Sequence, residues 1–94
     1  MTMKSANDII PDEATHPGAL LRETLESEGI SQRELARRMG RPAPAINEIV
    51  RGKKRVTAET ALELEQVLGI PASIWVNLQA RYDLVLATHA RAQR

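Results

Sequence analysis

The chain has 94 residues, of which 43% are hydrophobic and 27% charged, and its formal net charge is +1. This balance is typical of a single soluble globular domain and excludes a fibrous or disordered chain. Cysteine is absent, which excludes disulfides and thiolate metal sites. Neither a membrane helix nor a secretory signal is predicted, so the expected location is the cytoplasm.

Positive charge is concentrated in the middle of the chain. Residues 33–55 hold eight basic and two acidic side chains, a local charge of +6, whereas the remaining residues together carry −5. This asymmetry favours a phosphate-bearing partner over an ordinary solvated surface. The basic residues are Arg33, Arg37, Arg38, Arg41, Arg51, Lys53, Lys54 and Arg55.

The first part of the chain combines an irregular segment with an amphipathic one. Residues 1–15 show no steady hydrophobic period and are predicted to form a flexible N-terminal arm. Pro17 opens the first predicted helix, which runs to about Glu28. Leu21 and Leu25 lie one turn apart on its apolar face.

Two short helices are predicted next. Ser31 and Glu34 have the spacing of a capping box, in which the serine accepts from the Glu34 amide and the glutamate reaches back to the Ser31 amide. The helix that follows ends at Gly40. A third helix begins around Pro42 and runs to Arg51, since proline is tolerated in a first turn.

Two further helices complete an all-α prediction. Thr57 caps the fourth, which stops at Gly69. The fifth starts at Pro71 and continues to about Ala90, which makes it the longest. No stretch of alternating apolar and polar residues competes with this five-helix pattern.

Residues 31–52 have the spacing of a helix-turn-helix motif. The small Ala36 lets the second helix cross the first closely, and Ile46 and Ile49 dock that second helix. In this motif the second helix projects from the domain and enters the DNA major groove. The alternative is a small helical bundle that binds no nucleic acid.

Several short strings of the sequence are typical of one family. On these strings the chain resembles the HigA antitoxins of the Xre group of lambda-repressor-like regulators, over about residues 16–84. The resemblance implies a five-helix lambda-repressor-like domain that dimerises and binds a palindromic operator in its own promoter. It also implies neutralisation of a RelE-like or HigB-like mRNA endonuclease toxin. The strings are His16-Pro17-Gly18, Ser31-Gln32-Arg33-Glu34-Leu35-Ala36, Ile46-Asn47-Glu48-Ile49-Val50-Arg51-Gly52-Lys53, Thr57-Ala58-Glu59-Thr60-Ala61-Leu62 and Trp75-Val76-Asn77-Leu78-Gln79.

The resemblance also implies which residues contact double-stranded DNA. Gln32 opens the first helix of the motif, where the group commonly touches phosphate, and Arg41 flanks the recognition helix. The residues expected to approach base edges are Ala43, Pro44, Asn47 and Glu48, and those expected to meet the DNA backbone are Arg51, Lys53, Lys54 and Arg55.

Pro44-Ala45 departs from the family pattern, which often has polar or basic residues just before the Ile-Asn-Glu-Ile string. The base-reading surface is therefore thin. Asn47 can pair with adenine, Glu48 can accept from cytosine N4, and Ala43 can touch a thymine methyl group. Two interpretations follow: few base contacts supplemented by DNA shape, or DNA binding that is weak or lost.

The fifth helix is predicted to form a two-fold dimer. Its larger apolar residues alternate at spacings of three and four, a heptad-like seam that extends beyond what a small core requires. Residues 16–71 are accordingly assigned to the helix-turn-helix domain, and residues 72–94 to a dimerisation helix with a basic tail. The predicted dimer contacts are Trp75, Leu78, Tyr82, Val85 and Leu86.

Catalysis is not predicted. His16 and His89 lie at opposite ends of the chain without metal-ligand spacing, and no nucleophile elbow or phosphate-binding glycine loop occurs. His16 is expected at the start of the first helix. No cofactor or metal is expected. The alternatives to an operator-binding antitoxin are an Xre repressor without a toxin, and a toxin-binding protein with weak or lost DNA binding.

Overall fold

The computed structural model describes residues 15–93. Positions 1–14 of the predicted N-terminal arm therefore lie outside the described residues. The described residues form five α-helices and no strand, which confirms the all-α, five-helix prediction. The helices are α1 (Pro17–Glu28), α2 (Gln32–Met39), α3 (Ala43–Val50), α4 (Ala58–Leu68) and α5 (Ala72–Ala92).

Three helices begin with a side-chain cap. The Nδ1 atom of His16 accepts from the Gly18 amide at 2.9 Å, Ser31 Oγ from the Glu34 amide at 3.0 Å, and Thr57 Oγ1 from the Thr60 amide at 3.2 Å. Each cap contributes about 1 kcal/mol because it satisfies an amide that has no partner inside its own helix. The expectation that His16 starts α1 is confirmed.

One hydrophobic core joins all five helices. Trp75 of α5 is completely buried in it, and its indole Nε1 donates to the Ile70 carbonyl at 3.3 Å. The first half of α5 is thus part of the domain that contains the helix-turn-helix motif. The other buried members are Leu21, Leu25, Leu35, Ala36, Ile46, Ile49, Val50, Val56, Ala61 and Leu64.

Glycine is required where α1 meets the end of α3. A Cβ atom on Gly18 would lie 2.0 Å from the carbonyl oxygen of Ile49 and 2.9 Å from that of Val50. Any larger residue would push the two helices apart. The start of α1 therefore supports the C-terminal end of α3 by direct backbone contact.

Within residues 15–93, every helix is too short or too polar to span a lipid bilayer.

Candidate nucleic-acid interface

Helices α2 and α3 form the two arms of the helix-turn-helix motif. Gly40 adopts a left-handed conformation, with φ of 69°, and ends α2. The Arg41 amide then donates to the Ala36 carbonyl at 2.9 Å, which turns the chain tightly toward α3. This short turn fixes the crossing of the two helices.

Helix α3 has a buried face and an exposed one. Ile46 and Ile49 are at most 2% exposed and hold the helix against the core. Ala43, Pro44 and Glu48 are exposed on the opposite side, with Asn47 half-buried beside them. The four residues predicted to approach base edges therefore lie on the outward side of one helix.

Asn47 is oriented by a neighbour on α2. Its Nδ2 atom donates to Oε1 of Gln32 at 3.1 Å. The Oδ1 atom and the second Nδ2 hydrogen of Asn47 take no part in this bond, and together they match the donor and acceptor pattern of adenine. Gln32 thus holds the amide of Asn47 in a fixed orientation, in addition to the phosphate contact expected of it.

Amide donors are scarce at the N-terminus of α3. Pro42 and Pro44 have no N–H, and the Ala45 amide donates to the Pro42 carbonyl at 3.0 Å. Ala43 has the one remaining amide of the first turn, so this helix end offers little to a phosphate group. Cationic side chains must supply most of the phosphate binding.

Two of the basic residues form ion pairs within α2. Arg37 and Arg38 both donate to the carboxylate of Glu34, the latter at 2.8 Å. These bonds lower the pKa of Glu34 to about 2. The Glu34 side chain bonds these arginines, so of the predicted capping box only the bond to Ser31 Oγ is observed.

Two more arginines pair with carboxylates outside the basic segment. Arg41 donates to Glu63 of α4 at 2.5 Å, and this bond raises the pKa of Arg41. Arg55 donates to Asp83 of α5 at 2.8 Å, and this bond is the main reason that the pKa of Asp83 is lowered. Both were predicted to contact DNA, and both are partly neutralised inside the domain.

The remaining cations of the basic segment, residues 33–55, have no ion-pair partner within residues 15–93. They are Arg33 on α2, and Arg51, Lys53 and Lys54 in the segment after α3, all of them exposed. We call residues 51–56 the basic loop. The Lys53 and Lys54 amides donate to the Glu48 carbonyl at 2.8 and 3.2 Å, so the loop folds back against the end of α3.

Arg33 was not among the residues predicted to contact DNA. It belongs to the basic segment and follows Gln32, so its position in the motif was the available signal. Its lack of a carboxylate partner in the described chain distinguishes it from Arg37 and Arg38, and this difference appears only in the structure.

The predicted dimer residues of α5 do not share one exposed face. Trp75 and Val85 are 0% and 2% exposed within the single chain, so they have no surface to offer a second copy. Leu78 and Tyr82 are half-buried, and the Tyr82 ring lies edge-on to His16 with centroids 4.9 Å apart. Of the five, Leu86 alone is exposed, at 48%. The heptad-like spacing largely serves packing within the domain.

Other α5 residues present apolar surface. Leu84 is 63% exposed, and Ile74 and Val76 are 44% and 37% exposed. Leu84 and Leu86 lie in the second half of the helix, beyond the position of Trp75 in the core.

Comparisons with known proteins agree with this geometry. The helix-turn-helix family profile matches residues 21–75. The chain is 44% identical over 75 residues to virulence-associated protein I of Dichelobacter nodosus. The aligned residues make up 79% of this chain and 69% of that protein. Two solved structures are similar across most of both chains.

The first of these structures is the Pseudomonas aeruginosa antitoxin HigA with the higBA promoter. It has a TM-score of 0.81, 36% identity, and coverage of 86% of this chain and 89% of that one. The second is an addiction module antidote protein of the HigA family from Coxiella burnetii, with a TM-score of 0.77, 31% identity, and coverage of 85% and 88%. The chain therefore belongs to the Xre-type helix-turn-helix family and, within it, to the HigA antitoxins, a family of non-enzymatic DNA-binding proteins.

Proposed function

We propose that this protein is a cytoplasmic antitoxin and repressor that binds a palindromic operator in duplex DNA as a two-fold dimer. The observation that carries the proposal is the outward face of α3 next to three cations of the basic loop that lack ion-pair partners in the described chain. The bases and the phosphates of one DNA half-site would then contact adjacent surfaces. The solved HigA relative from Pseudomonas aeruginosa, with its promoter, supports the same role.

Base recognition centres on Asn47 and Glu48, with Ala43 and Pro44 in van der Waals contact. Asn47→Ala is expected to relax the preference at one position of each half-site, at a cost of about 1–3 kcal/mol. Binding is measured by titrating the protein against duplex DNA from the region upstream of its own gene, called the upstream DNA below, and against a set of single-base variants of it. Gln66→Ala, which removes an exposed amide on α4, is the matched control and should leave every affinity unchanged.

An Asn47→Ala variant that keeps the wild-type preference at all positions would assign sequence specificity to DNA shape. Complete absence of salt-dependent binding to the upstream DNA would contradict the repressor role itself.

Dimerisation through α5 places two copies of α3 about one DNA turn apart, roughly 34 Å, on a palindrome. Since Trp75 and Val85 are buried within the chain, we assign the contact to the exposed leucines of α5. Leu84 and Leu86 are two residues apart and face different sides of the helix, so the test changes both together. Leu84→Glu combined with Leu86→Glu should convert a dimer into a monomer in sedimentation at tens of micromolar. Leu62→Glu on α4, an equally exposed leucine, is the control. A wild-type monomer, or a dimeric double variant, would contradict this assignment.

The toxin partner is a RelE-like or HigB-like mRNA endonuclease, as expected of a HigA antitoxin. The test is co-expression with the neighbouring gene product, with co-purification and recovery of growth as readouts. Operator binding without any such complex would indicate an Xre repressor that has no toxin.

A second candidate function is toxin binding with weak DNA binding. It is favoured by the N-terminus of α3, where Pro42 and Pro44 remove amide donors and Pro44 offers no polar side chain to a base edge. A stable toxin complex together with no salt-dependent binding to the upstream DNA would select this second function.

A further inference from the structure

Gln79 is a buried polar side chain that lies outside the predicted DNA contacts. It belongs to α5 and is 4% exposed. Gln79 and Thr60 are the two buried polar residues of the described chain. Its Oε1 atom accepts from the Val56 amide at 2.7 Å, and its Nε2 atom donates to Asp83 at 2.9 Å. A side chain of the fifth helix thus anchors the backbone of the basic loop.

The same side of α5 holds the loop directly at one further point and through His16 at another. Asp83 accepts from Arg55 at 2.8 Å. Tyr82 packs edge-on against His16, whose ring atoms lie 3.7 to 4.0 Å from where a Cβ of Gly52 would be. Residues 79, 82 and 83 are spaced so that they share one helix face. This face bonds Arg55 and Val56 directly, and it reaches Gly52 only through His16.

The other end of the loop is fixed to the recognition helix. The Lys53 and Lys54 amides donate to the carbonyl of Glu48, which lies in the last turn of α3. The loop therefore connects α3 with α5: the backbone of its two exposed lysines is attached to α3, and the residues directly after them, Arg55 and Val56, are attached to α5. The positions of the two lysines depend on both helices.

We propose that Gln79 is a positioning residue that sets the phosphate contacts of Lys53 and Lys54 and couples α5 to DNA binding. This inference rests on the proposed operator-binding function. Since Leu84 and Leu86 belong to the same helix, dimerisation through α5 and phosphate binding by the loop act through one rigid element. Loss of the Gln79 anchor releases the Val56 end of the loop without changing any charge.

The test compares Gln79→Met with Thr60→Val, so that each variant removes polar atoms from one of the two buried polar residues. Binding to the upstream duplex is titrated at several salt concentrations, well below both melting temperatures. We expect Gln79→Met to bind about tenfold more weakly. We also expect its slope of log K against log salt to be less negative by about 0.9, equivalent to one phosphate contact. The base preference should be unchanged, and Thr60→Val should behave like wild type.

Amide hydrogen exchange provides a second readout that is independent of DNA. The Val56 amide should exchange at least about tenfold faster in Gln79→Met, because it has lost its buried acceptor. If Gln79→Met does not fold, Gln79→Asn serves instead, since it keeps an amide but is too short to reach Val56.

The outcomes separate this proposal from the proposed function. If the wild-type chain binds the duplex and the Gln79 variant has the same affinity and the same salt slope, the positioning role is overturned and operator binding is left intact. An equal loss in Thr60→Val also overturns it, since general destabilisation then explains both results. A wild-type chain that binds no duplex DNA overturns operator binding, and the positioning role with it.

Discussion

Two cationic regions flank the recognition helix, and their charges differ in availability. At the end of α2, Arg37 and Arg38 share the carboxylate of Glu34. In the basic loop, Lys53 and Lys54 are exposed and have no ion-pair partner within residues 15–93. Lys53 and Lys54 add the same formal charge to the segment as Arg37 and Arg38, yet the lysines carry it unpaired whereas the two arginines share a carboxylate.

The difference follows from local structure. On a helix, residues three and four apart are neighbours, so Glu34 reaches both arginines of its own helix. The basic loop contains no carboxylate of its own that could pair with its lysines. Arg55 obtains a partner only because α5 brings Asp83 against the loop. Formal charge therefore overstates the charge that is available to DNA.

The largest expected effect comes from removing the two loop lysines. Lys53→Ala combined with Lys54→Ala should reduce affinity for every DNA sequence alike, by roughly 50-fold at about 0.1 M salt. It should also flatten the salt slope by about 1.8, since each phosphate contact contributes about 0.9. The measurement is a DNA titration across a salt series.

The matched control for the loop lysines removes the same charge from α2. Arg37→Ala combined with Arg38→Ala should cost only about threefold or less, because exposed arginines already paired with a carboxylate add little to phosphate binding. Equal losses in the two double variants would show that pairing with Glu34 does not withhold charge from DNA.

Much of this fold could be predicted from the sequence because its signals are local. Ser31 and Thr57 start helices at the expected positions, and Gly40 and Gly69 end them. The helix-turn-helix spacing, together with the resemblance to HigA antitoxins, was also sufficient to indicate the family. These features depend on residues within a few positions of one another.

Long-range pairing had no such signal. Glu63 lies 22 positions from Arg41, and Asp83 lies 28 positions from Arg55, so only the packing of helices brings them together. The spacing of apolar residues on α5 raised a similar problem. A heptad-like pattern serves a core and a dimer equally well, and the burial of Trp75 in the core became clear only from the fold.

A smaller effect is expected from releasing a paired arginine. Glu63→Gln removes the carboxylate that holds Arg41, whose side chain is 27% exposed beside the start of α3. The freed guanidinium can contact one more phosphate, so non-specific affinity should rise by up to about eightfold and the salt slope should steepen by up to about 0.9.

Glu59→Gln on the same helix is the control for released Arg41, since it removes one negative charge without breaking a hydrogen bond to that arginine. Equal tightening in both variants would attribute the gain to lower negative charge on α4. Unchanged binding in Glu63→Gln would mean that Arg41 does not reach DNA.

The smallest expected effect concerns the pH dependence of the α2 ion pairs. Hydrogen bonds from Arg37 and Arg38 lower the pKa of Glu34 from 4.5 to about 2. The folded chain therefore binds the Glu34 proton less readily than the unfolded chain, so this carboxylate stabilises the fold above pH 4.5 and loses that effect as the pH falls toward 2. Glu34→Gln, which keeps the bond from the residue 34 amide to Ser31 Oγ, should lower the melting temperature slightly at pH 7, and the gap to wild type should narrow below pH 4.5 and close as the pH approaches 2. Glu28→Gln on α1 controls for the loss of one exposed charge. A gap that stays constant down to pH 3 would show that Glu34 stabilises α2 by some means other than its ion pairs, and the contrast with the unpaired lysines of the basic loop would then lose its electrostatic basis.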